Sequence, residues 1–184
     1  PFGQTVSPDK QVLLTGDPAT RENYINDLVG VTGLMIDVSG LNGQPAIDDF
    51  AFHVGNDNNF AGWTDAPMPS FDFRPGQGVA GSGQVVLTWP VGSIVSQWLE
   101  VTMNENPAIN LPGDVFYVGS APGETGDSTL HTLVNGFDFA GVRDNAANPA
   151  GIDNRFDFNR DNTVDGADLA ISRDNTTNFD TALQ

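Results

Sequence analysis

Twelve consecutive residues, from Asp157 to Asp168, carry oxygen-bearing side chains at positions 1, 3, 5, 9 and 12: Asp157, Asn159, Asp161, Asp165 and Asp168. This is the register of a calcium-binding loop, in which a chain turning back on itself aims alternate residues at one cation. A hard cation such as Ca²⁺ takes roughly six to eight oxygens. Position 7, Thr163, offers its backbone carbonyl. Position 6, where the backbone turns sharply, holds Asn162, which tolerates the left-handed conformation better than any residue but glycine. Position 12 is Asp168 where such loops usually carry Glu, so the shorter arm makes this a variant loop.

The loop is one of two copies. Asp127, Val134, Gly136, Asp138, Ala140, Arg143, Asp144, Asn145 and Asn148 recur thirty residues later as Asp157, Val164, Gly166, Asp168, Ala170, Arg173, Asp174, Asn175 and Asn178. Each copy predicts a loop followed by a short helix, Asp138 to Asp144 and Asp168 to Asp174. Asp165 is placed to cap its helix and Asp168 to sit in the positive first turn. Asn145 and Asn175 suit a left-handed stop. The earlier loop is a degenerate metal site, with Asp127, Thr129, Asn135 and Asp138 at positions 1, 3, 9 and 12 but His131 at 5 and Thr132 at 6. Imidazole is a poor calcium ligand, and a β-branched residue resists the left-handed turn.

The elements before this tail read as strands. Gln11 to Leu14 is a short apolar run closed by Thr15-Gly16-Asp17-Pro18. Leu34, Ile36 and Val38 alternate with Met35, Asp37 and Ser39, and Phe50, Phe52 and Val54 alternate with Ala51 and His53 inside the run 47–54. Further strands are expected at Phe71 and Phe73, at Val85 to Trp89, at Gln97 to Met103 and at Val115 to Val118. Short strands separated by Gly, Pro and Asn turns predict a mainly β fold, an antiparallel β-sandwich over residues 1–120, with the tail as a second domain over 121–184.

Two calcium loops, each with one following helix and Val at position 8, resemble the dockerin family. Its repeats run Asp-x-Asn-x-Asp-x-x-Val-Asn-x-x-Asp-Leu, matched here by Asp157, Asn159, Asp161, Val164, Asp165, Asp168 and Leu169, and in the first copy by Asp127, Val134, Asn135 and Asp138. The resemblance implies a small α-helical pair folded around calcium that binds a cohesin, itself a β-sandwich, and so attaches proteins to a scaffold; the first domain is expected to be a jelly-roll or cohesin-like sandwich. The whole chain is also similar to the C-terminal regions of large secreted proteins of planctomycete-type bacteria, through Gly33 to Val38 and Val54 to Asn58. Where dockerin helices present small hydroxyl and apolar residues to cohesin, this chain presents Arg143-Asp144 and Arg173-Asp174.

Composition narrows the function classes. In 184 residues there are 24 acidic and 7 basic side chains, a formal net charge of -17, so phosphate backbones and anionic lipid are repelled. Cysteine is absent, which removes disulfides and thiolate chemistry. No apolar run is long enough for membrane insertion. A chain opening on Pro1 is expected to be a processed or excised piece, and a cation-loaded acidic module belongs outside the cell, at its surface.

The expected function is a non-catalytic extracellular calcium-binding module for assembly or anchoring. Its partner would be a cohesin-like sandwich or copies of itself, joined head to tail into a fibre, or a strand added by residues 1–14. Packing of the tail on its own sandwich is the competing arrangement. The alternative is a carbohydrate-binding module that meets a polysaccharide through Trp63, Trp89 or Trp98, with Asp57 and Asp65 as a further cation site; Trp89 and Trp98 lie inside strands and are expected in the core. An enzyme is not expected. His53 and His131 are the only imidazoles, and phosphate loop, zinc-spaced His pair and Ser-centred elbow are all lacking.

Overall fold

The computed structural model describes residues 7–184. Residues 1–6, the first part of the segment considered for strand addition, lie outside the described residues. The fold is mainly β, with nine strands and two short helices among the described residues. The strands are β1 (Leu13–Leu14), β2 (Tyr24–Ile25), β3 (Gly33–Val38), β4 (Phe50–Gly55), β5 (Thr64–Asp65), β6 (Ser70–Arg74), β7 (Gly83–Thr88), β8 (Trp98–Met103) and β9 (Asp114–Ser120). The helices are α1 (Gly136–Asp144) and α2 (Gly166–Asp174).

Two sheets form. The larger has the order β1-β9-β8-β4-β5, with β2 added to β9, and the smaller runs β3-β7-β6. All ladders are antiparallel except that of β2 with β9, which is parallel. Register explains the core. Phe52 lies opposite Val101 and Val101 opposite Phe116, while Val54, Leu99 and Val118 make the next row. In the smaller sheet Leu34 and Phe71 flank Leu87, and Ile36 and Phe73 flank Val85. These side chains belong to one hydrophobic cluster shared by both sheets. Because side chains alternate along a strand, the residues between them form the outer faces.

Several details differ from the sequence pattern. Ile47–Asp49 is a 3₁₀ turn and not the start of β4, and Asp49 closes it by accepting the Ala46 N–H at 2.8 Å. The two-residue strands β2 and β5 carry too few residues to show a period. Trp89 and Trp98 are buried as expected, but Trp89 lies just past the end of β7 and not inside it, and it donates its indole N–H to the Pro67 carbonyl at 2.7 Å. Leu13–Leu14, considered for donation to another chain, pairs with this chain's own β9.

Both helices start two residues earlier than the repeat suggested, with Asn135 and Asp165 as N-caps. The Asn135 side chain accepts from Phe137 N at 2.8 Å, and the Asp165 side chain accepts from Ala167 N at 2.7 Å. The expected left-handed stops are not formed, since Asn145 and Asn175 have φ of -106° and -104°. Each instead closes its helix through its side-chain amide, donating to Gly141 O and to Ile171 O at 2.8 Å. That satisfies a last-turn carbonyl without a positive φ.

The two copies interlock. The stretch after α1 pairs with the second loop, with Ala147 N donating to Val164 O at 2.8 Å. The stretch after α2 pairs with the first loop in the equivalent way, with Thr177 N donating to Val134 O at 3.0 Å. Val142, Phe158 and Val164 make the small core of this pair. The stretch after α2 meets the larger sheet through Leu183, which packs with Tyr24 and Trp98. Asn26 bridges the two parts by donating to Glu124 O and Arg155 O at 2.7 and 2.9 Å.

Candidate metal centre

In the second loop the ends are buried and the middle is open to solvent. Asp157 and Asp168 are buried, whereas Asn159, Asp161, Thr163 and Asp165 are exposed. Asp168 Oδ1 accepts from Phe158 N at 2.7 Å and from Asn159 N at 3.3 Å, and its Oδ2 accepts from Asp165 N at 2.9 Å. One carboxylate thus ties the start of the loop to the start of α2, the reciprocal half of a capping box. Asp157 accepts from Asp161 N and Asn162 N at 3.2 and 3.0 Å. Asp161 accepts from Thr163 N at 2.9 Å and from the Asn159 amide at 2.8 Å.

Asn162 takes the left-handed conformation expected of position 6, with φ 72°. Arg160 takes it as well, with φ 58°. This turns the Arg160 guanidinium away from the loop, where it donates to Asn154 O and Asn26 Oδ1 at 2.7 and 3.0 Å. Thr163 forms a β-bridge with Pro149.

The first loop is built differently. Thr132 has no positive φ; its hydroxyl donates to Leu183 O and its backbone bridges Leu183. His131 Nδ1 accepts from Leu133 N at 3.4 Å, and Thr129 is exposed. Asp138 is fully buried, its Oδ1 accepting from both Thr125 N and Thr125 Oγ1 at 2.8 Å and its Oδ2 from Asn135 N at 2.8 Å. Asp127 is exposed above it.

Between these two stands Glu124, which the loop register leaves out because it precedes position 1 by three residues. Glu124 is fully buried, accepting from Tyr24 Oη at 2.8 Å and from Gly126 N at 2.9 Å. Glu124, Asp127 and Asp138 bring ligand oxygens within 4.8 Å of one another, the one such group of acidic or imidazole side chains among the described residues. Asp157, Asp161 and Asp168 do not close to that spacing; each is turned onto its own amide donors. The signal that could have found Glu124 is the repeat itself, since thirty residues on stands another oxygen-bearing residue, Asn154.

The electrostatics follow from burial. Glu124 is pushed up to about 7, chiefly by loss of water and further by the charges of Asp138 and Asp127. Burial also raises Asp138 and Asp157, and the neighbouring carboxylates, among them Asp127 beside Asp138 and Asp168 beside Asp157, push the same way. Among the described residues, no Lys, Arg or His pairs with the carboxylates of either loop. An all-oxygen donor set of clustered carboxylates without a cationic side chain is chemistry that fits a hard divalent cation.

The remaining sequence candidates lie apart. Asp57 accepts from Asn59 N at 2.9 Å and from the Trp63 indole at 3.2 Å, while Asp65 faces His53 at 3.7 Å. Trp63 lies over Gly55, where a Cβ would come within 2.3 Å of its ring, and its edge meets Tyr117. Among the described residues no helix is long and apolar enough to cross a membrane. No protein-family model, curated protein or solved structure matches this chain.

Proposed function

We propose that this chain is a non-catalytic, calcium-binding module of a cell surface or extracellular matrix, used for assembly or anchoring. In this reading the two sheets are a β-sandwich of the jelly-roll or cohesin-like kind, and the tail is a dockerin-like pair. The second loop would hold Ca²⁺ through Asp157, Asn159, Asp161, Thr163, Asp165 and Asp168. The first would do so through Asp127 and Asp138, with Thr129 and Asn135 at its rim and Glu124 supplied from outside the loop. The single observation that carries the reading is that the buried carboxylates of Asp157, Asp168 and Asp138 accept from backbone amides while no Lys, Arg or His among the described residues pairs with them. A cation balances them, and its binding energy becomes folding energy of the tail.

A protein partner is favoured over a polysaccharide. Trp89 and Trp98 are buried, and Trp63 spends its indole N–H on Asp57 and one ring face on Gly55. Leu130 and Phe137, 92% and 75% exposed on the first loop and helix, supply apolar surface that a protein would cover. Titration calorimetry with Ca²⁺ and then Mg²⁺ tests the reading. Calcium should bind the wild-type chain with at least one site lost in Asp157→Ala, and the absence of any calcium heat would overturn it.

A further inference from the structure

The outer face of the larger sheet, where the stretch after α2 meets it, contains a row with a gap in it. Cross-strand register sets Gly55, Trp98, Gly119 and Tyr24 side by side. Glycine inside a strand marks a close approach by another group. At Gly119 that group is Leu183, for a Cβ there would stand 2.6 Å from Leu183 Cδ2 and 2.9 Å from Tyr24 Cβ. The Tyr24 and Trp98 side chains wall the gap, and Leu183 fills it to 7% exposure.

On both sides of Leu183 the sheet holds main chain. Asn56, which follows β4, donates to Ala182 O at 2.8 Å and accepts from Gln184 N at 3.0 Å. One side-chain amide therefore spans the backbone of three residues. The Trp98 indole N–H donates to Gln184 O. Main-chain hydrogen bonds with a pocket for one side chain are how extended peptides are recognised on sheets.

We infer that this row is a peptide-binding groove selective for an extended segment with leucine at its centre, and that residues 182–184 of the chain hold it shut in cis as a latch. Asn178 to Ala182 is a self-closed turn, with Asp180 N donating to Asn178 Oδ1 at 2.8 Å and Ala182 N to Asn178 O at 2.8 Å. Leu183 and Gln184, which follow this turn, therefore seat or leave on a local pivot. Through Thr132 the same segment also holds the first loop, so the closed latch joins loop to sheet and the open one exposes Trp98 and Tyr24. No loop carboxylate lines the groove, which touches the metal site only where Tyr24 Oη donates to Glu124 and Thr132 holds Leu183.

The test uses the Trp98 indole N–H, followed by NMR in the intact chain, in a chain lacking 182–184, and in that chain with a synthetic peptide spanning residues 177–184. Deletion should raise indole exchange at least about tenfold, a population change of the size that loss of one buried leucine produces. The peptide should restore the original resonance saturably. The same peptide carrying Leu183→Ala should bind at least about tenfold more weakly, and the intact chain should not respond. Unchanged exchange after deletion, or peptide binding as strong to the intact chain, would overturn the inference. If the deleted chain does not fold, Asn56→Ala in the intact chain decides. Faster indole exchange with β8 and β9 amides still protected supports the latch, and unchanged exchange refutes it.

Discussion

Removing the Asp168 carboxylate should destabilise the tail even when no calcium is present. Asp168→Ala deletes the acceptor of three backbone N–H groups. Phe158 is fully buried, so its amide is left without a partner, at a cost of about 1–3 kcal/mol. Loss of the capping-box contact to Asp165 N adds about 0.5–2 kcal/mol. The third bond, 3.3 Å long and belonging to exposed Asn159, is regained from water and adds little. The sum is roughly 1.5–5 kcal/mol. Urea unfolding in excess chelator, followed by far-UV circular dichroism and by Trp98 fluorescence, measures it. Asp165→Ala, which loses one exposed capping bond, should cost less. An Asp168→Ala chain within about 0.5 kcal/mol of wild type would refute the assignment of Asp168 as the residue that joins loop to helix.

Three further outcomes follow from the same geometry. Glu124 has a folded pKa of about 7 against an ordinary 4.5, so its burial opposes folding once the carboxyl ionises. In chelator, stability should be highest below the ordinary value and fall as pH rises from there through about 7; Glu124→Gln should flatten part of that slope in melting curves, and an unchanged slope would contradict the burial of the acid. Leu99→Ala, at a fully buried position in the central strand β8, should cost about 2–5 kcal/mol by denaturant unfolding. Asp161→Ala should leave stability in chelator almost unchanged, because its side chain is exposed and makes local bonds, yet it should weaken calcium binding in calorimetry.

The parts of this fold that were legible beforehand are those where one local rule acts alone. Leu34, Ile36 and Val38, and Phe50, Phe52 and Val54, alternate because one face of each strand is buried, and both sets fall in the shared core. Asn162 announced its left-handed backbone because few residues other than glycine adopt it easily. What escaped notice depends on contacts distant in sequence. Tyr24–Ile25 is a strand only because β9 offers a free edge beside it, and no two-residue stretch carries a period. Glu124 joins Asp127 and Asp138 through a turn before the loop, outside the register that defines the motif. Asn145 and Asn175 looked like left-handed stops because glycine and asparagine share that role, but asparagine also has a side-chain amide, and here the amide does the capping. Leu183 gives no sign in sequence of the gap at Gly119 that it fills.

Thermal unfolding of the wild-type chain in millimolar calcium and again in excess chelator bears most directly on the calcium reading, with Asp157→Ala measured alongside. Free calcium at about 100 times the dissociation constant of one site adds about 2.7 kcal/mol, which for a chain of this size raises the midpoint by roughly 5–10 °C. The account predicts that rise for wild type and a clearly smaller one for Asp157→Ala. Superimposable curves in calcium and chelator would contradict it.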